Sequence, residues 1–317
     1  MTINKQTFKY NLLVFLFLLI SSACEKEITI DIPQSEEKLV VEGFIEQNMP
    51  PIVFLSKNIG YFAPTDLSTL QNLMVKDAQV SIDFGGETYE LTQICIDSIS
   101  ESFLPLISEL TGLSEAQLKL YNYCFYTSLN PNLLGQVNQA YTLSVKYSGK
   151  EYHSTTTIPS PVNLDSIWYK KRNSEGSHGV IWAKLSDPIG YNAYRIFTKR
   201  LGKDENYVPV TNSVYEDQFF NGKTFDFYFY RGTKANSDVP TDNNSESAYY
   251  READTIVIKF CSIDREVYLF FRDVETEIAN NGNPFAAPST IRSNISKGGL
   301  GYWAGYGAVY DTIIAFE

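Results

Sequence analysis

The chain has 317 residues, of which 44% are hydrophobic, so it can build one large or two ordinary domains, and global disorder is excluded. Its formal net charge of −11 excludes a typical nucleic-acid-binding protein, which would present a basic face. The 22 Tyr and 20 Phe favour β structure, and Tyr is also enriched at recognition surfaces.

Residues 1–23 are predicted to form a lipoprotein signal peptide. Lys5 and Lys9 supply a basic start, residues 12–20 are an unbroken apolar run, and small residues precede Cys24. These are the features of a secretory signal, and the apolar run is shorter than the ~20 residues that span a bilayer. The alternative is an ordinary signal peptide that a cysteine happens to follow.

Cys24 is the predicted lipidation site, where a thiol takes diacylglycerol and cleavage frees an amine for a further acyl chain such as palmitate. Two or three chains give stable anchoring, because each buried CH₂ contributes ~0.8 kcal/mol. Residues 24–38 would then be a tether. Glu25 and Glu27 resemble the acidic surface-export signal of Bacteroidota lipoproteins, and a plain solvated tether is the alternative.

Three further cysteines remain, an odd number for an oxidising compartment. Cys95 and Cys124 are near enough in sequence for a disulfide, which spacing alone does not establish. Cys261 lies in an apolar run and is expected to be a buried free thiol.

The first half of the mature chain is predicted to be an N-terminal β-sandwich-like domain over residues 39–159. The cleanest hairpin is 78–91, where an alternating strand turns at Gly85-Gly86 and returns. A short helix is predicted over 64–75. Residues 93–135 are predicted to hold a helical insertion, since Ser114 and Gln117 are spaced as a capping box.

A second, C-terminal β-rich domain is predicted over residues 162–317, because Pro159 and Pro161 interrupt any strand ladder. Residues 236–247 read as a surface loop. One longer helix is expected over 264–280, capped by Ser262 or Asp264 and ended by Gly282, with one apolar face of Tyr268, Phe271, Val274 and Ile278. The fold class is thus mainly β, with two sandwich-like domains.

Several short motifs carry a family resemblance. They are the segment before Cys24 and the stretches 39–43, 78–82, 158–167, 282–285, 293–295 and 298–303. In this order they resemble the Bacteroidota lipoprotein family known as domain of unknown function 4249 (DUF4249). The stretch 78–91 also resembles carboxypeptidase-regulatory or transthyretin-like sandwiches, which favours a transthyretin-like or immunoglobulin-like fold for the first domain.

The resemblance implies an outer-membrane lipoprotein, held by its N-terminal lipid and exposed at the cell surface. Members are commonly encoded beside a TonB-dependent, SusC-like transporter, which is the partner it implies. It supplies no known activity, ligand, cofactor or catalytic residue.

The residues themselves indicate no catalytic motif, metal site or cofactor. His153 and His178 lack the neighbours of a catalytic triad or zinc site. The carboxylates Asp264, Glu266, Asp273 and Glu275 are typical of a solvated helix face, with a carboxylate-based hydrolase as the alternative. The acidic loop at Asp238, Asp242, Asn243, Asn244 and Glu246 lacks the spacing of a calcium site.

The glycine-rich stretch 298–307 lacks the Gly-Lys-Ser/Thr ending of a phosphate loop. Its rings, Tyr302, Trp303 and Tyr306, are either core packing or a contact surface for a ligand or partner. The preferred function is a non-enzymatic accessory or ligand-capture partner of a TonB-dependent transporter. The alternative is a structural or adhesive surface lipoprotein without a transport role.

Overall fold

The computed structural model describes residues 36–59, 69, 72–111, 113–121, 123–173, 176–232, 248–280 and 290–316. Residues Glu37–Glu317 form one compact unit. The predicted signal peptide, Cys24, the whole loop at 236–247 and Gly282 lie outside the described residues. So do most of the tether and most of the helix predicted over 64–75.

The described residues are mainly β, as predicted. The strands of the first half are β1 (Leu39–Glu46), β2 (Ile52–Lys57), β3 (Gln79–Phe84), β4 (Glu87–Glu90), β5 (Thr92–Cys95), β6 (Cys124–Thr127), β7 (Ala140–Tyr147) and β8 (Lys150–Thr157). Those of the second half are β9 (Ser166–Lys171), β10 (His178–Ser186), β11 (Ala193–Arg200), β12 (Val208–Glu216), β13 (Thr224–Phe229), β14 (Tyr250–Arg251), β15 (Thr255–Ile263) and β16 (Leu300–Ile314).

The helices are α1 (Leu104–Thr111), α2 (Glu115–Tyr121) and α3 (Arg265–Asn280). The first two form the predicted insertion, and its capping box is confirmed. The Gln117 N–H donates to Ser114 Oγ at 3.2 Å, and the Ser114 N–H donates to Gln117 Oε1 at 3.0 Å. Helix α3 is capped by Asp264, whose Oδ1 accepts the Val267 N–H at 2.9 Å. Its apolar face ends earlier than predicted, because Ile278 is 69% exposed.

The strands form three sheets. The largest has eight strands in the order β12-β11-β15-β16-β1-β2-β6-β5, the second has the order β4-β3-β7-β8, and the third joins β9, β13 and β14 to β10. The predicted hairpin forms β3 and β4, with positive φ at Gly85 (63°) and Gly86 (85°). That turn suits the right-handed strand twist, and glycine adopts it without steric cost.

The eight-stranded sheet crosses the boundary predicted at Pro159 and Pro161. Strand β1 pairs in parallel with β16, so residues from both ends of the described chain lie in one sheet. The prediction of two domains, over 39–159 and 162–317, did not include a sheet shared by both halves of the chain. Prolines after a strand end that strand's ladder, but they do not decide which distant strands pair afterwards.

Two apolar clusters lie on one face of the large sheet. One joins β1, β2 and β16 to β3 and β7 of the second sheet. The other joins β11 and β15 to β9 and β10 of the third sheet. On the opposite face, α3 packs near β16, and the helical insertion packs on β2 and β6. The third sheet therefore has one face on the core and one face turned away from it.

Candidate functional site

The aromatic residues predicted as contacts in the glycine-rich stretch are core residues. Trp303 is fully buried, and its Nε1–H donates to the Tyr141 carbonyl at 2.9 Å. Tyr306 is 5% exposed and accepts from Arg195 Nη1 at 2.9 Å. Tyr302 packs on Phe270 with ring centroids 4.9 Å apart. The contact-surface interpretation is corrected to packing, because β16 is a central strand with both faces covered.

The cysteines lie in two different environments. Cys95 and Cys124 face each other on β5 and β6 and are joined by a disulfide, with Cα atoms 4.0 Å apart. Cys261 is a buried free thiol. Burial raises the pKa of its thiol to about 12, so the reactive thiolate is disfavoured at neutral pH.

The histidines and late carboxylates are engaged in local structure. His153 Nδ1 lies 2.9 Å from Ser144 Oγ. Asp264 accepts from Thr156 Oγ1 at 2.6 Å in addition to capping α3, and Glu275 accepts from Ser213 Oγ at 2.6 Å. Asp273 forms ion pairs with Arg272 and Arg292. Within the described ranges, no group of three or more His, Cys, Asp or Glu could hold a metal. The acidic loop weighed for calcium lies outside them.

The feature that stands out instead is a row of aromatic rings on the third sheet, here called the aromatic ladder. Its members are Trp168 of β9, Trp182 of β10, Tyr228 and Tyr230 at the end of β13, and Tyr249 before β14. Trp182 is in register with both Trp168 and Tyr228. Because side chains alternate along a strand, the neighbours Tyr169, Ile181 and Phe229 point to the opposite face and are buried in the core.

Consecutive rings of the ladder contact one another. The centroid distances are 6.0 Å for Trp168–Trp182, 5.0 Å for Trp182–Tyr228, 5.6 Å for Tyr228–Tyr230 and 5.5 Å for Tyr230–Tyr249. All are within the range of favourable aromatic pairs. Tyr228 is 46% exposed, and the other four rings are half-buried. The rings therefore brace one another while part of each stays available for contact.

Two cations lie over the ladder. Lys170 Nζ is 5.5 Å from the Trp182 ring centroid, and Arg172 Cζ is 5.1 Å from that of Tyr249. Both distances fit cation–π contacts, which favour guanidinium and ammonium groups over aromatic faces. A side-chain hydrogen bond with Tyr228 raises the pKa of Tyr230, so the Tyr230 hydroxyl remains protonated at neutral pH.

An apolar cavity adjoins the ladder at Tyr228. It encloses about 60 Å³ between the third sheet and the large sheet. Its lining side chains are Leu185, Tyr194, Tyr215, Phe220, Phe225, Phe227, Tyr228 and Phe260. Burial raises the pKa of Tyr215 to about 12. The cavity suits an apolar group, since a polar one would lose its hydration there.

The ladder was not predicted from the sequence, although the alternating pattern of its strands is visible there. Ladder residues occupy even positions, at 168, 182, 228 and 230, within strands whose odd positions are core residues. Alternation within one strand shows that two faces exist, but the ladder requires the register between β9, β10 and β13. Strands β10 and β13 are separated in sequence by β11 and β12 of the large sheet, so their register is fixed by tertiary packing.

A family model described as domain of unknown function (DUF4249) matches residues 25–310. No curated protein and no solved structure matches the chain. Among the helices that the structure describes, none is long and apolar enough to cross a membrane.

Proposed function

The chain belongs to the DUF4249 family, and we propose that it is a non-enzymatic outer-membrane lipoprotein that acts beside a TonB-dependent transporter. In this proposal Cys24 carries the lipid and the aromatic ladder is the contact surface. The ladder is the observation that carries the proposal. A contiguous, partly exposed aromatic row on a soluble protein typically marks an interaction site, since single exposed rings are ordinary but connected patches are not.

The chemistry of the ladder suits binding to a macromolecule. Trp and Tyr each bury ~150–250 Å² and are enriched at interfaces, since they combine a large apolar area with a polar group. They also lose little conformational entropy, because only two side-chain torsions are fixed. The ring contacts reduce that loss further, since each ring is already positioned by its neighbours.

The lipid anchor would favour formation of such a complex. A lipoprotein confined to the membrane of its partner has a raised effective concentration, so a weak interface is largely occupied. The adhesive or structural alternative shares the anchor and the ladder, but it predicts no transporter in purified complexes.

The decisive experiment is purification of the wild-type lipoprotein from outer membranes in mild detergent, with the transporter quantified by mass spectrometry. Trp182→Ala and Tyr228→Ala should each reduce transporter recovery, because anchor rings commonly cost ~2 kcal/mol when truncated. Phe103→Ala is the matched control, since Phe103 is 56% exposed but lies in the helical insertion. All three variants should remain folded, with stability losses well below those of a core aromatic deletion.

Native complexes that never contain a transporter would favour the adhesive or structural alternative. The anchor is tested separately by labelling cells with a palmitate analogue. Label should enter the wild type and be lost in Cys24→Ala, and equal labelling of both would refute lipidation at this residue.

A further inference from the structure

The two cations of the ladder differ from the neighbouring lysines of β9 and β10. Lys184 is paired with Asp226 at 3.5 Å, and Lys171 is paired with Glu252 at 3.0 Å. In contrast, Lys170 and Arg172 are exposed, and no carboxylate in the described part of the chain forms an ion pair with either. Their side chains lie over the ladder rings themselves. The ladder therefore presents two positive charges on a chain whose net charge is −11.

This local positive charge favours a partner that is negatively charged where it meets the ladder. Interactions between exposed charges are screened beyond about 8–10 Å at physiological salt. The nearest cations therefore dominate the electrostatic potential at the ladder. An acidic partner would be attracted there and repelled by the acidic remainder of the surface. A basic partner would be drawn elsewhere. Complementary charge of this kind sets orientation and association rate more than raw affinity.

The cavity beside Tyr228 indicates the chemical class of the partner. Its lining is aromatic and aliphatic, so a sugar hydroxyl entering it would lose hydrogen bonds to water without replacement. An apolar amino-acid side chain meets no such penalty. The cavity lies on the core side of the third sheet and the ladder on its other face, and Tyr228 of the edge strand β13 lines the cavity and belongs to the ladder. A segment added along β13 as a further strand would alternate its side chains between the two faces, so that one enters the cavity while its neighbours face the rings. In addition, β13 pairs only with β10 among the described strands, which leaves an edge that an extended polypeptide can join.

We infer that the ladder binds an acidic polypeptide segment, whose carboxylates meet Lys170 and Arg172 and which places one apolar side chain in the cavity beside Tyr228. This inference rests on the part of the proposed function that makes the ladder the contact surface. It does not depend on the partner being a transporter.

The test uses a random peptide library displayed on phage and selected against the full-length lipoprotein in mild detergent. We expect the enriched peptides to be acidic and to share one apolar position. Lys170→Glu combined with Arg172→Glu should weaken their binding about tenfold or more at 0.15 M salt, because two ion pairs become repulsive. Tyr228→Ala should weaken it as well.

Lys76→Glu combined with Lys150→Glu is the matched control, since it changes the net charge equally at exposed sites on another part of the surface. It should leave peptide binding unchanged. Enrichment of neutral or basic peptides, or equal binding to the ladder charge reversal and the wild type, would overturn the inference. Binding of polygalacturonate without any peptide enrichment would overturn it in favour of an acidic glycan.

The two proposals fail in different ways. If acidic peptides bind through the ladder but no transporter co-purifies, the inference holds and the transporter partnership fails. If the transporter co-purifies and Trp182→Ala removes it while the charge reversal has no effect, the partnership holds and the inference fails.

Discussion

Gly43 of β1 lies opposite Trp303 of β16 in the parallel pair that joins the two ends of the described chain. A Cβ atom at Gly43 would lie 2.8 Å from Cε3 of the indole. The glycine thus leaves the space that the largest fully buried side chain occupies. Glycine is required here for close approach, and its φ is not in the left-handed region.

Gly43→Ala should therefore destabilise the protein by about 1–3 kcal/mol, the usual cost of adding a methyl group to a well-packed core. Urea unfolding followed by circular dichroism would measure it. Trp303→Phe should partly relieve the clash, so the double variant should lose less stability than the sum of the two single variants. Strict additivity would mean that the two residues are not in repulsive contact.

Trp303→Ala should lower the free energy of unfolding by about 3–5 kcal/mol, because it leaves a cavity and removes a buried hydrogen bond. Trp168→Ala on the partly exposed ladder is the control and should cost clearly less. If Trp303→Ala were as stable as Trp168→Ala, the assignment of Trp303 to the core would be wrong.

Lys259 forms a buried ion pair with Glu46, which also accepts a hydrogen bond from Tyr310. Four rings surround the ammonium, with centroids 5.7–5.8 Å away, at Phe197, Tyr207, Tyr306 and Tyr310. Lys259→Met would leave the Glu46 carboxylate buried and unpaired, so we expect a loss of about 3–5 kcal/mol in urea unfolding.

Glu46→Gln should restore part of that stability when it is added to Lys259→Met, since the uncompensated charge is then gone. Lys119→Met breaks the exposed pair with Glu101 and should scarcely change the melting temperature. No recovery in the double variant would show that packing, and not charge, causes the loss.

The buried thiol of Cys261 should make the free energy of unfolding depend on pH. Burial raises the pKa of its thiol to about 12 in the folded state, against about 8.5 in an unfolded chain. Because the folded state holds the proton more tightly, this contribution to stability is complete below about pH 8.5 and is lost as the pH rises towards 12. The wild type should therefore lose up to ~1.4 kcal/mol per pH unit more than Cys261→Ala above about pH 9. If the free energy of unfolding fell equally with pH in the wild type and in Cys261→Ala between pH 7 and 11, the raised pKa of this thiol would be contradicted.

The disulfide between Cys95 and Cys124 closes a loop of sequence separation 29 around the helical insertion. In the chain-entropy model such a loop contributes about 3–4 kcal/mol to the free energy of unfolding. The variant Cys95→Ser with Cys124→Ser should lose that amount, and a reducing agent should bring the wild type to the same value. If the reductant changed the variant equally, its effect would not come from this bond.

Local features of the fold could be read from the sequence because the interactions that form them are local. The alternating strands and Gly85-Gly86 predicted the β3–β4 hairpin. Ser114 and Gln117 predicted the cap of α2, and Asp264 predicted the start of α3. Each depends on residues within a few positions of one another, where backbone geometry and side-chain reach are nearly fixed.

The candidate site could not be read in the same way. The ladder forms only when Trp168, Trp182 and Tyr228 share a register across three strands. The sequence left Trp303 open between core packing and a contact surface, because aromatic residues on a Gly-rich strand are compatible with both. Its burial follows from the position of β16 in the middle of the sheet.

The sequence by itself determined the mainly β class, the hairpin and caps, and the family, and it predicts the lipid anchor at Cys24. Only the tertiary structure decided that one sheet joins both halves, that Tyr302, Trp303 and Tyr306 are packed, and that the available rings lie on the third sheet. The physical reason is that strand pairing over long separations is chosen by the total burial of apolar surface, which no short stretch of sequence encodes.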